Sequence, residues 1–387
     1  MEPLLPPLPV PQVLEDLAVK IIRQSSELGS RLHPLTRLGL VELFRESNCY
    51  YSNLIEGHKT SPLDIQRALK KDFSREPTKH ALQQESLAHI AVQKLIENRI
   101  TEEPDIDICT PEFICWIHEQ FCSRLPTVFL EMKDNHDKKI IVHPGKLRTT
   151  EVTVGHHIPP LNNCLTQFLK RFSEVYTPYK LTPIMQVIAI AASHHRLAWI
   201  HPFLDGNGRV VRLFSDAYFK KAKIDSNGLW TMARGLSRNR SEYMATLEKA
   251  DAPRQGDFDG RGNLSLQGLV EFCAFFLTVA IDQINFMQTM LDLENLPKRI
   301  EGYVHYLVGM KQLKIQSFDL LKAALLEGEI SRGNIAAITG MPERTARNLI
   351  SPLLNLGLLK STTPKGPLRL GFPIEAVKYY FPALYNH

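Results

Sequence analysis

The stretch His201-Pro-Phe-Leu-Asp-Gly-Asn-Gly-Arg-Val-Val-Arg212 constrains this chain most, because its glycines separate a pair of segments that both read as helices. Upstream, Pro183 to Trp199 is long, apolar and alanine-rich, as a buried helix requires. Downstream, Val210, Leu213, Phe214 and Ala217 repeat at helical spacing between Arg209 and Lys221. Gly206 and Gly208 can take backbone angles that other residues avoid, so the connection reads as a tight turn opening a helix. Such an opening leaves N–H groups unpaired at the positive end of the helix dipole, which is a setting for phosphate. Arg209 and Arg212 share one helix face and can clamp successive phosphates. Asp205 offers a hard oxygen ligand for Mg²⁺. His201 is the one group in the stretch that titrates near neutral pH, which makes it the expected general base. A lone Gly-Asn-Gly with solvated arginines would be an ordinary helix–loop–helix turn; the whole string carries the reading.

Taken whole, the string resembles the signature of the Fic family, His-Pro-Phe-x-Asp/Glu-Gly-Asn-Gly-Arg-x-x-Arg, at every fixed position. Most members move AMP from ATP onto a hydroxyl of a target protein. The resemblance implies that His201 deprotonates the incoming hydroxyl and that Asp205 holds the Mg²⁺ bridging the α- and β-phosphates. It further implies that the backbone of Gly206, Asn207 and Gly208 cradles the phosphates, with the Asn207 side chain orienting the α-phosphate. Arg209 would stabilise the leaving pyrophosphate, Arg212 would take the γ-phosphate, and Val210 and Val211 complete the nucleotide-binding stretch. Tyr243, in a helix expected from Arg238 to about Asp251, falls where the family keeps a tyrosine near the nucleotide. No Gly-x-x-x-x-Gly-Lys-Ser/Thr is present, which argues against a P-loop NTPase.

Upstream, Tyr51-Ser52-Asn53-Leu54-Ile55-Glu56-Gly57 is similar to the family's inhibitory motif, Ser/Thr-x-x-x-Glu-Gly/Asn. On a helix Ser52 and Glu56 share one face, and Gly57 is a natural C-terminal stop. The resemblance implies that Glu56 pairs with Arg212 and keeps the γ-phosphate from seating. Between Lys138 and Pro160 two β-branched runs, Ile140–Val142 and Thr149–Val154, flank a Pro-Gly turn and read as a hairpin. This segment, 138–160, is similar to the Fic flap, on whose edge a target protein segment would dock.

At 387 residues the chain has the length of two or three domains, and 44% apolar with 22% charged residues is ordinary soluble composition. The expected fold class is all-α, a mainly helical Fic fold with a β-hairpin flap, followed by a C-terminal winged helix-turn-helix domain. The expected divisions are 1–100, an N-terminal helical region carrying the inhibitory helix, 101–295, the catalytic core, and 311–387, the winged helix. No basic n-region or cleavable apolar core opens the sequence, and the longest apolar run noted, Ile184 to Ala192, is too short for a bilayer. Six cysteines without paired spacing suggest neither a zinc site nor a disulfide framework, so a cytoplasmic protein with reduced thiols is the default. The adjacent pairs His156-His157 and His194-His195 point to different faces and read as structural.

From 311 to 387 there are 10 Lys/Arg against 5 Asp/Glu, a surplus of 5 that equals the net charge of the whole chain. Two helices meeting at Thr339-Gly340-Met341, with wing strands at Leu358–Ser361 and Leu368–Leu370, would expose Arg344, Arg347 and Asn348. DNA contact and protein docking, including a homodimer, are both readings of that domain. The leading expectation is a self-inhibited protein adenylyltransferase using ATP and Mg²⁺. The alternatives are a nucleotide-sensing DNA-binding regulator, or a Fic enzyme that uses another nucleotide or removes AMP.

Overall fold

The computed structural model describes residues 1–133 and 139–385. The chain divides into two compact units, one made of residues 1–26 and 48–284, the other of 27–47 and 285–387. The expected division after residue 100 therefore does not separate compact units: residues 48–100 fold with the segment that carries the glycine-rich motif.

The first unit draws on α1 (Gln12–Gly29), α2 (Pro34–Ile55), α3 (Pro62–Leu69), α4 (Pro77–Glu102), α5 (Pro111–Cys122), α6 (Leu165–Tyr176), α7 (Pro183–Ile200), α8 (Asn207–Lys221), α9 (Ala233–Arg238), α10 (Arg240–Asp251) and α11 (Leu266–Met290). Prolines at the first turn and hydroxyl caps set several starts. Thr110 accepts from the Phe113 N–H, and Thr182 from the Met185 N–H, each satisfying a donor the helix cannot. At the centre α7 packs against α8, with α4 and α5 also on α8 and α6 on α7. Val187 to Leu197 of α7 is buried, so Val187 to Ala192 is apolar without amphipathic spacing, and the buried Ser193, His194, His195 and Arg196 that follow are hydrogen-bonded.

α11 is long and apolar enough by composition to cross a membrane, unlike the shorter run singled out in the sequence. Its packing accounts for that composition: Phe272 stacks against His194, and Phe276 against Phe219, inside the first unit.

The one strand of the expected flap that forms has a different partner. β1 (Glu131–Lys133) pairs antiparallel with β2 (Lys139–Ile141), Met132 facing Ile140, and the Val142 N–H continues the ladder to the Leu130 carbonyl. Lys138, at the start of the expected flap, lies outside the described residues. Residues 149–154 form no strand, and side chains take the Thr149 and Thr150 carbonyls. Arg148, with no exposed side-chain surface, donates to the carbonyls of His201 (2.9 Å), Thr150 (3.2 Å) and Pro160. Asn162 binds the Thr149 carbonyl. What remains of the hairpin is a tight turn, Val154 bridged to His157 across Gly155 at φ 59°.

The second unit carries α12 (Asn295–Gly309), α13 (Ser317–Glu327), α14 (Ile335–Thr339), α15 (Glu343–Arg347), α16 (Ile350–Asn355) and α17 (Ile374–Tyr380). The expected wing strands pair: β3 (Leu359–Lys360) is antiparallel to β4 (Arg369–Leu370), and Ile330 bridges Leu368. Gly340 at φ 64° closes α14, as the expected turn requires. The following helix is shorter than its sequence reading. Pro352 lacks an N–H and crowds the carbonyl four residues back, at Asn348, and the helix breaks into α15 and α16 across Asn348 and Leu349. Arg344, Arg347 and Asn348 are exposed, and Arg347 pairs with Glu343.

Candidate active site

α7 ends at His201, whose φ of 48° and ψ of 62° put it in the left-handed region, where the backbone turns sharply. Its N–H still bonds to the Leu197 carbonyl, and its own carbonyl is held by Arg148. α8 then opens at Gly206, φ 78°, a conformation that a side chain would strain. The loop between is built from backbone and buried polar groups. Asn207 accepts the Phe203 N–H at 2.9 Å and donates to the Phe203 carbonyl at 2.8 Å, so its side chain clasps the loop. One N–H of the amide and one lone pair of its oxygen remain for a further partner. His118 of α5 braces the loop from below. Its ring stacks on Phe203 at 3.9 Å, its Nδ1 accepts from the Gly145 N–H, and its Nε2 faces the Asp205 carbonyl at 3.2 Å.

A cavity of about 500 Å³ faces this loop, lined among others by His156, His157, His201, Gly208, Arg212, Tyr243 and Glu56. The first turn of α8, with its unpaired N–H groups, opens towards that space. Burial, with help from the nearby Arg148 and His157, pushes the His201 pKa down to about 4, so the imidazole is neutral at neutral pH and able to accept a proton. The side chains of Val210 and Val211 are buried in the α8 packing. Tyr243 lines the cavity, but its hydroxyl is committed at 2.7 Å to His194 Nε2, whose Nδ1 meets Ser215. The second histidine of that pair, His195, binds Asp251 at 3.0 Å, and His157 binds the Trp199 carbonyl at 2.8 Å.

The two sequence motifs meet here. α2 ends in a Schellman arrangement: the His58 N–H bonds to the Asn53 carbonyl and the Gly57 N–H to the Leu54 carbonyl, with Gly57 at φ 84°. That turn presents Glu56 to Arg212, Oε1 lying 2.5 Å from Nη2. Ser52 takes Arg212 from the side, its hydroxyl at 2.9 Å from Nε and its carbonyl at 3.1 Å from Nη2. The Glu56 carboxylate also covers Gly208, where any Cβ would collide with it. Burial alone would raise the Glu56 pKa, but Arg212 and Arg209 outweigh it and hold the carboxyl below its ordinary range. A carboxylate of the chain itself thus occupies the mouth of the helix where an anion is favoured.

Arg209 points elsewhere. Its Nη1 is paired with Glu85 of α4, whose side chain is fully buried, and its guanidinium lies 5.2 Å from the Phe121 ring. Glu85 also receives His58, Nδ1 to Oε2 at 2.7 Å, with the His58 ring stacked on Phe129. Glu85, His58, His118 and Arg148 belong to neither motif; Glu85 and His118 are polar residues within helices α4 and α5, and His58 and Arg148 lie in loops, signals shared by many solvent-facing positions.

Asp205 is 44% exposed; its Oδ1 accepts the Gly206 N–H at 2.5 Å and lies 3.8 Å from Arg209. Among the described residues no group of three or more His, Cys, Asp or Glu could hold a metal. A single accessible carboxylate suits an ion that arrives bound to phosphates and keeps several waters, and does not suit a resident protein-caged metal.

Residues 108–219 match the Fic/DOC family. The chain is similar to protein adenylyltransferase Fic of Nematostella vectensis, 28% identical over 221 residues, 55% of this chain and 46% of that protein. It is also similar to protein adenylyltransferase Fic of Drosophila grimshawi, 35% identical over 81 residues, 21% of this chain and 17% of the relative. The matches thus span less than half the length of these curated relatives. Among solved structures, a Fic family protein from Desulfovibrio desulfuricans G20 superposes with a TM-score of 0.55 at 17% identity, covering 95% of this chain and 98% of that one. Fic-1 of C. elegans gives 0.55 at 18% identity over 73% and 74% of the two chains. These structural likenesses establish the mainly helical Fic fold.

Proposed function

We propose that this chain, whose residues 108–219 form a Fic domain, transfers AMP from ATP to a hydroxyl side chain of a target protein and is held back by its own Glu56. The observation that carries the reading is the convergence on one cavity of a neutral imidazole, the open end of α8, and an arginine already occupied by an internal carboxylate. In the proposed step the target hydroxyl gives its proton to His201 as its oxygen bonds to the α-phosphorus. The bond from that phosphorus to the α,β-bridging oxygen breaks, and pyrophosphate leaves with both electrons. The chemistry asks the protein for positioning and positive charge more than for a nucleophile of its own. Mg²⁺, reaching the site on the nucleotide and held by Asp205, would supply further charge neutralisation.

Arg212 is the natural ligand for the terminal phosphate, and Glu56 competes for it. A triphosphate must displace that carboxylate from Arg212 and from the space over Gly208 before it can seat. The target segment would lie along 138–160, of which the Val154–His157 turn borders the cavity.

The test uses ATP labelled at the α- or at the γ-phosphate, with the Glu56→Gly protein and an extract of candidate targets. Transfer of AMP places the α-label, and not the γ-label, on protein, and His201→Ala abolishes it. Incorporation of the γ-label instead, or of neither label, overturns the proposal.

A further inference from the structure

Arg209 stands one turn before Arg212 on α8 and 3.8 Å from Asp205, yet an arginine has four rotatable bonds and no position of its own. A buried, desolvated guanidinium takes the geometry of whatever anion reaches it. Here that anion is Glu85, 124 residues earlier in the sequence and on a different helix. The Glu85 side chain has no exposed surface, so its charge is tolerable only because partners surround it. Those partners are Arg209, with Nη1 on Oε1, and His58, with Nδ1 at 2.7 Å from Oε2 and 3.0 Å from Oε1. The remaining side of the guanidinium rests on the Phe121 ring, 5.2 Å away, and Asp205 is 3.8 Å from Nη2. Arg209 is therefore held by Glu85, while Glu56 and Ser52 hold Arg212.

Resting on the transfer reading, we propose that Glu85 is a positioning residue of this site: its carboxylate holds the Arg209 guanidinium where the leaving phosphates develop charge. It acts through Arg209 and does not touch the nucleotide. His58, two residues beyond Glu56, shares the same carboxylate, so the inhibitory turn and the phosphate-facing arginine are fastened to one anchor. Release of the turn frees Glu85 to pair with Arg209 alone.

The test is a double-mutant cycle in the Glu56→Gly protein, with Glu85→Gln, Arg209→Ala and both together, each checked for folding by circular dichroism. If Glu85 works through Arg209, Glu85→Gln lowers kcat tenfold or more when Arg209 is present and less than twofold when it is already alanine. An equal fall in both backgrounds overturns the proposal, because a residue that only supports the fold acts regardless of Arg209. Should Glu85→Gln fail to fold, Glu85→Asp keeps the buried charge and withdraws it by one methylene. It is expected to lower kcat several-fold with the KM for ATP unchanged, and an unchanged kcat contradicts the assignment. If the Glu56→Gly parent transfers nothing, the transfer reading fails by itself. The same cycle is then read in the calorimetric Kd for ATP: a Glu85→Gln effect present only with Arg209 supports the positioning role, and one independent of Arg209 refutes it.

Discussion

Glu56 Oε1 lies 2.5 Å from Arg212 Nη2 and over the one residue of the α8 first turn, Gly208, that has no side chain to hold it off. In the proposed reaction glycine at that position serves two occupants in turn, since the space a Cβ would fill is held by the Glu56 carboxylate. Opposite unit charges near 4 Å attract by about 4 kcal/mol at an effective dielectric of 20, less the cost of desolvation. The net is enough to keep the carboxylate in place most of the time and small enough for a triphosphate to compete.

Removal of Glu56 therefore has opposite effects on stability and on activity. Arg212 is 5% exposed, and without its carboxylate the Glu56→Gly protein is expected to lose about 2–4 kcal/mol of stability. The figure is below that of a fully buried pair because Glu56 keeps 29% exposure. Saturating ATP supplies the missing anion and should restore much of the loss through ligand binding. Thermal melts with and without ATP check this; a variant as stable as the parent, or one that ATP does not stabilise, contradicts it.

His58 makes the restraint sensitive to pH. Its bond to Glu85, opposed by burial, raises its pKa above the ordinary histidine value, with Arg209 lowering and Glu56 raising it further. A raised pKa means that the contribution of the protonated form is complete below about pH 6.5 and is lost as pH climbs through the higher folded value. The ratio of Glu56→Gly activity to parent activity should therefore fall as pH rises above neutrality, because the parent is released while the variant already is. In His58→Gln the ratio should be flat over that window. A ratio that rises with pH would reverse the sign of the argument.

His201 behaves in the contrary way. Burial has lowered its pKa to about 4, so the base form persists to acidic pH. Since kcat/KM reports the free enzyme, its acidic limb in the Glu56→Gly protein is expected near pH 4 and not near 6.5. An acidic limb at the ordinary histidine value, insensitive to Arg148→Gln, would show that burial and Arg148 do not set the base.

Asn207 offers a check on the loop. Its amide makes two bonds to Phe203, so Asn207→Ala leaves a buried N–H and a buried carbonyl unpaired and is expected to cost about 2–4 kcal/mol. Asn207→Asp keeps the acceptor for the Phe203 N–H and loses the donor to its carbonyl, and it should lie between. Equal stability of Asn207→Ala and the parent, measured by denaturant unfolding, would contradict the clasp.

The residues legible in sequence were those whose chemistry is compressed into short strings. His201 to Arg212 and Ser52 to Gly57 are such strings, and the fold brings His201, Asn207, Gly208, Arg212 and Glu56 to one cavity. Glu85 could not be read, because what matters about it is a partner 124 residues away, and a glutamate in α4 resembles the solvated glutamates around it. A small hairpin forms, but its second strand is not the expected Thr149–Val154, for a related reason. β-branched runs announce strand propensity but not pairing, and in the second run Arg148 binds the Thr150 carbonyl and Asn162 the Thr149 carbonyl. Pro352 was visible throughout, and the break it causes between α15 and α16 follows from its missing N–H.

Intact-mass spectrometry of the Glu56→Gly protein after incubation with ATP and Mg²⁺ tests the central claim most directly. The account predicts an added mass of one AMP on the protein, a far smaller fraction modified in the parent, and none in Glu56→Gly/His201→Ala. Equal modification of all three proteins, or a mass of phosphate in place of AMP, would contradict it.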